Sequence, residues 1–130
     1  MSILKKLYTH DSEKAAKDIL HTYEKQKYCI VSFLYFANVM HRRVLEKHRS
    51  DIQRDYLHAL EKSDYLLPDG IALQLFYRWG GKKRDALHNL NGTDFTPFFL
   101  SQINRDKLNL ILYGGTETVI ARTVDHFTQQ

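Results

Sequence analysis

Apolar residues recur at helical spacing over residues 11–26, DSEKAAKDILHTYEKQ, where Ala15, Ile19, Leu20 and Tyr23 share a face. Asp11 and Ser12 are candidate caps there, and Glu13 sits in the first turn. The period then changes. Residues 28–36, YCIVSFLYF, are almost uniformly apolar and rich in β-branched and aromatic side chains, which predicts a strand buried on both faces, as in the centre of a parallel sheet. Over residues 38–62 helical spacing returns through Val44, Leu45, Ile52, Tyr56, Leu57 and Leu60, with Asn38 as a candidate cap and a break near residues 48–50.

The second half repeats the alternation. DYLLP predicts a short strand ended by Pro68, and a helix is expected from Gly70 through GIALQLFYRWG, closing at Gly80 and Gly81. GKKRDALHNLNG reads as a loop with a short strand at ALHNL. TDFTPFFLSQIN predicts a helix with Thr93 or Asp94 at its N-terminus and Pro97 within its first turn. KLNLILYGG is a strand running into a glycine turn, and TETVIARTVDHF a last helix. Alternating strands and helices with continuous apolar strands predict an α/β domain with a mainly parallel sheet. Ligands of such sheets bind beyond the carboxyl ends of the strands, which directs attention to the loops FANV, PDG and YGGTET.

Composition narrows the picture. The chain has 130 residues, 43% hydrophobic and 26% charged, which suits one globular domain with one core. A net charge of +4 favours anionic partners. The basic stretches HRRVLEKHR and RWGGKKR lack the interleaved aromatics of a single-strand nucleic-acid binder, so no nucleic-acid partner is expected. Cys29 is the sole cysteine, which excludes a disulfide framework and fits a reducing compartment; inside its apolar run it reads as a small hydrophobe rather than a nucleophile. None of the seven histidines falls in a recognisable ligand pattern, so no metal site is expected. The N-terminal stretch does not read as a signal peptide, and the longest apolar run is short of the roughly 20 residues that cross a bilayer. The expectation is a cytoplasmic protein, with peripheral contact to a membrane surface left open.

The candidate chemistry centres on Asp69, between Pro68 and Gly70 where a strand turns into a helix. A carboxylate there can accept the proton of an attacking hydroxyl. The same three residues are also a common turn, with Asp capping the next helix, and spacing alone favours that plainer reading. YGGTET could cradle a phosphate through its glycines and Thr116, or be a simple strand-to-helix turn. In NLNGTDF, Asn91, Thr93 and Asp94 could bond a sugar or merely cap a helix.

Taken in order, SDYLLPDGIALQLF, NLNGTDFTPFFL and LNLILYGGTETVIARTVDHF resemble the WecG/TagA/CpsF family of bacterial glycosyltransferases. Its members show an Asp-Gly turn after a short apolar strand, then a Gly-Ser/Thr-Asp block, then a strand ending in Gly-Gly. The resemblance covers residues 60–127. It implies a Rossmann-like, three-layer domain and an enzyme that moves a sugar such as N-acetylmannosamine from a UDP-sugar donor to a polyprenyl-diphosphate-linked acceptor. The pathway would be synthesis of teichoic acid, enterobacterial common antigen or exopolysaccharide, at the inner face of the cell membrane. It implies Asp69 as catalytic base and a substrate pocket lined by Gly70, Asn91, Gly92, Thr93 and Asp94 and bordered by Gly114 and Gly115, without metal or cofactor. Asn38 stands nearest the family's Thr-x-Asn motif and joins that set.

Asn89 occupies the position where the family commonly has arginine, three residues before the Gly-Thr-Asp block. The family's later Gly-Tyr-Phe, Pro-Lys-Gln-Glu and arginine-rich segments do not occur up to Gln130. The expectation is therefore a single domain over residues 1–130 lacking its C-terminal half. Its sheet edge would be open to pairing with another copy. The alternative from a different functional class is a non-catalytic nucleotide-sugar-binding or interaction module.

Overall fold

In the computed structural model, which describes residues 3–40, 51–79, 87–103, 111, 113 and 115–128, Asp11 starts the first helix. Its side chain accepts a hydrogen bond from the Lys14 N–H at 2.9 Å, capping α1 (Ser12–Gln26) as its sequence predicts. The helix ends at Lys27, which takes the left-handed conformation at φ 63° and donates its N–H to the Tyr23 carbonyl at 2.7 Å. A short 3₁₀ turn (Ile3–Lys6) precedes α1. After it come β1 (Val31–Tyr35), α2 (Phe36–Met40), α3 (Asp51–Lys62), β2 (Tyr65–Asp69), α4 (Ile71–Trp79), α5 (Gly92–Gln102) and α6 (Glu117–Thr128).

β1 and β2 pair in parallel, from Val31 opposite Tyr65 to Tyr35 opposite Asp69, so the chain is α/β with a two-stranded parallel sheet among the described residues. Residues of a parallel strand turn their peptide groups alternately to either side. Tyr65 donates to the Ile30 carbonyl at 3.1 Å on the β1 side; the carbonyls of Leu66 and Pro68 face away and accept from Tyr8 (2.9 Å) and Leu90 (2.8 Å). Pro68 is tolerated inside a buried strand because its missing N–H belongs to that outer side, not to the β1 ladder.

Side chains alternate as well, and each face of the pair carries its own apolar cluster. Leu34 and Leu66 join Ile3, Leu7, Leu60, Leu73 and Leu87 on one face. Leu67, with Val31, Phe33 and Tyr65, meets Ala15 and Ile19 of α1 and Phe95, Phe98 and Phe99 of α5 on the other. Cys29 packs at the edge of this second cluster, where burial raises its thiol pKa and keeps it protonated, in keeping with a packing role.

Several sequence expectations change. The first strand begins at Val31, and Phe36 already belongs to a helix. Within β1 only Leu34 is buried, whereas Leu66, Leu67 and Pro68 of β2 all are, so β2 is the inner strand. Asn38 does not cap a helix: it lies inside α2, buried, and its Nδ2 donates to the Tyr56 hydroxyl at 2.6 Å, tying α2 to α3. The expected break near residues 48–50 and the glycines at 80 and 81 lie outside the described residues. Residues 87–90 form no strand.

Helix α5 begins at Gly92 rather than at Thr93 or Asp94. The Asn91 Oδ1 takes the Asp94 N–H at 2.9 Å and starts the helix earlier, which leaves Pro97 inside it, beyond the first turn. Most of the strand expected over residues 107–115 lies outside the described residues, and Ile111 and Tyr113 are exposed and not in a strand. Among the described residues, no helix is long and apolar enough to cross a membrane.

A polar knot fastens the N-terminal segment to the sheet. The Tyr8 hydroxyl donates to Asp18 Oδ2 at 2.8 Å and Lys14 Nζ to Oδ1 at 2.6 Å, while the Tyr65 hydroxyl donates to the Asp18 carbonyl at 3.0 Å. The Lys14 bond, aided by Tyr8, holds the Asp18 carboxyl below the usual carboxylate range against a smaller opposing effect of burial. Burial, then the Asp18 hydrogen bond, pushes the Tyr8 phenol well above its ordinary value. The folded phenol therefore keeps its proton where an unfolded one ionises, so this contribution to stability is complete below about pH 10 and is lost as the pH rises further. Tyr8→Phe is expected to cost about 1 kcal/mol near neutral pH. Urea midpoints of the two proteins should converge between about pH 8 and about pH 11; a difference that does not change with pH would show that Tyr8 is not held in this way.

Candidate functional site

Because β1 and β2 are parallel, their carboxyl ends lie side by side, with Tyr35 in register with Asp69. This is the end at which open α/β sheets take ligands. Alternation sends the side chain of Asp69 to the same face as Tyr65 and Leu67, toward α5.

Three hydrogen bonds join consecutive residues of the Pro-Asp-Gly turn to the segment that leads into α5. The Pro68 carbonyl accepts from Leu90 N–H at 2.8 Å, Asp69 Oδ2 accepts from Gly92 N–H at 3.3 Å, and Gly70 N–H donates to Asn89 Oδ1 at 2.7 Å. Asp69 is thus held at the first residue of α5, some twenty residues downstream, rather than spent as the cap of α4. Gly70 stands at that cap, its carbonyl accepting from Leu73 N–H at 3.1 Å. The positive N-terminal end of α5 favours a negative charge at this place. Gly70 has φ 92°, a backbone conformation for which glycine is suited, and this lets the chain turn sharply from β2 into α4.

The structure brings Asp69, Gly70, Asn91, Gly92 and Asp94 together. Asn91 and Asp94 bond each other twice, since Asn91 Nδ2 also donates to Asp94 Oδ2 at 2.8 Å, so both serve the helix start. Thr93 is exposed in the first turn of α5. Gly92 rests on the Phe33 ring, where an added Cβ would meet ordinary van der Waals contact at 3.7 Å. Asn38 follows the carboxyl end of β1 but is buried against Tyr56. Gly115 has φ 84° beside Val119 of α6, and Gly114 lies outside the described residues.

Two residues at this end escape sequence reasoning. Asn89 holds the Gly70 amide, and only its place three residues before the Gly-Thr-Asp block hints at it. Tyr35 is 47% exposed beside Asp69 in the sheet register, an aromatic surface hidden in the sequence by its apolar run. Among the described residues, no three His, Cys, Asp or Glu side chains gather as they would around a metal ion. A carboxylate at a helix N-terminus, edged by a glycine turn, an amide and an aromatic ring, can accept a proton from a bound hydroxyl.

Residues 2–130 match the sequence model of the glycosyl transferase WecG/TagA/CpsF family. No curated protein and no solved structure is matched by the chain.

Gly70 of the turn and Gly92 of α5 should respond differently to a methyl group. Gly70→Ala is expected to destabilise the protein by about 1–2 kcal/mol because of its positive φ, whereas Gly92→Ala should be neutral or stabilising by about 0.5 kcal/mol. Urea unfolding of both variants checks this, and equal effects would count against the turn geometry.

Proposed function

Since the chain belongs to the WecG/TagA/CpsF family of glycosyltransferases, we propose that it transfers an N-acetylmannosamine-like sugar from a UDP-sugar to a polyprenyl-diphosphate-linked acceptor in cell-surface polysaccharide synthesis. The observation that carries the reading is the bond from Gly92 N–H to Asp69, which unites the Asp-Gly turn and the Gly-Thr-Asp block in one site at the carboxyl end of the sheet. The acceptor hydroxyl attacks the anomeric carbon of the donor sugar. Its proton passes to the Asp69 carboxylate as the new carbon–oxygen bond forms, and the bond to UDP breaks with its electron pair on the departing diphosphate oxygen.

Gly70, Gly92 and Thr93 border the reacting groups, Asn91 and Asp94 fix the helix start beside them, and Tyr35 offers a ring against which a sugar or base can lie. Asn38 secures α2 beside the end of β1, and the family resemblance assigns Gly114 and Gly115 to the border of the pocket. Apolar clusters on both faces of the parallel pair support a Rossmann-like, three-layer architecture for the domain. The reaction is placed on the cytoplasmic side of the membrane, where nucleotide sugars are available.

Asp69→Asn tests the reading. Transfer from UDP-N-acetylmannosamine to a lipid-linked acceptor analogue should fall by about 10² or more, while calorimetric affinity for the UDP-sugar changes by only a few-fold. A rate within a few-fold of wild type would remove Asp69 from the role of base.

A further inference from the structure

Helix α4 is apolar around most of its circumference. At about 100° per residue, Phe76, Leu73 and Tyr77 share one side, and that side faces inward: Leu73 is buried and the two rings pack on its cluster. Arg78, Ile71, Leu75, Trp79 and Ala72 follow one another around an arc of about 120° on the opposite side, and all five are exposed. Ile71 is 66%, Leu75 54% and Trp79 88% accessible. A solvated helix face is normally polar, so a continuous apolar row of this kind marks a surface that meets another phase or partner.

Charge identifies which. Arg78 lies at the edge of the row, the sequence runs on from Trp79 into GGKKR, and the whole chain carries +4. An apolar row ending in tryptophan, with Arg78 at its edge and Lys82, Lys83 and Arg84 next in the sequence, matches an anionic lipid surface, where aliphatic side chains enter the acyl boundary, the indole sits at headgroup level and cations meet lipid phosphates. The row starts at Ile71, two residues beyond Asp69, and extends for about 12 Å along the helix.

We infer that the outer face of α4, formed by Ile71, Leu75, Arg78 and Trp79, docks on an anionic bilayer and thereby sets the Asp69 turn at the headgroup layer. The use of that docking to reach a polyprenyl-diphosphate acceptor rests on the glycosyl-transfer reading; the docking itself rests on the exposed row of α4 and the basic residues that accompany it in the sequence.

Trp79 is the chain's single tryptophan and reports directly on this face. With vesicles of phosphatidylglycerol and phosphatidylethanolamine its emission should shift to shorter wavelength and the protein should float with the vesicles, whereas vesicles of phosphatidylcholine alone bind more weakly. The double substitution Ile71→Gln, Leu75→Gln keeps the reporter and should weaken partitioning about tenfold or more; Arg78→Gln or added salt should weaken it less. Asp69→Asn should bind vesicles like wild type, which separates failure of docking from failure of sugar transfer. Far-UV circular dichroism verifies the fold of the double variant, and if it does not fold, the Arg78→Gln and salt series decides. Docking is overturned by absence of the shift and of flotation with anionic vesicles, by binding indifferent to these substitutions and to salt, or by a dimer that the double substitution dissociates while vesicles bind neither form.

Discussion

The bond from Leu90 N–H to the Pro68 carbonyl is the contact on which the site depends. β2 spends one set of peptide groups on β1, and the carbonyls of Leu66 and Pro68 remain on its outer side. A buried carbonyl without a partner costs of the order of 1–3 kcal/mol, and at Pro68 the strand has no N–H of its own to offer in exchange. Leu90 satisfies that carbonyl, is itself buried, and brings residues 89–92 alongside the end of β2. The contacts of Asn89 with Gly70 and of Gly92 with Asp69 follow from this placement.

Turn chemistry and catalytic chemistry compete for Asp69 only while α4 is the sole helix considered. Strand alternation aims the side chain at the opposite face of the sheet, where α5 begins, so the carboxylate answers to the N-terminus of a helix that is distant in sequence. Gly70 makes the turn, and the cap of α4 needs no side chain. The roles of the three residues are thus distributed: Pro68 supplies a carbonyl, Gly70 a backbone conformation and Asp69 a charge.

Features set by local period and local capping were legible in the sequence. The Asp11 cap, α1, the strand at DYLLP, the helix after Gly70 and the helix ending in TVDHF all depend on residues within a turn or two of each other. Features set by long-range partners were not. Asn38 reads as a cap because an asparagine opens the helical pattern there, yet Tyr56 lies opposite it and its hydroxyl takes the amide into the interior. The start of α5 was misplaced because Asn91, Thr93 and Asp94 are all competent caps, and only the Asn91 geometry shows which one acts. At the candidate site, Asp69 and the Gly-Thr-Asp block were visible through family resemblance, whereas Asn89 and Tyr35 acquire meaning only from pairing across the sheet end.

Residues 69–71 also mark a division of surfaces. Up to Asp69 the alternation of a strand governs direction, and from Ile71 the rotation of a helix does. The positive φ of Gly70 joins the two, so Asp69 turns toward α5 while Ile71 opens the outer row of α4. A carboxylate and an apolar surface therefore begin two residues apart and face different ways. For the sugar transfer proposed above, a water-soluble donor and a lipid-borne acceptor approach from different phases, and a site that joins them needs this separation at short range.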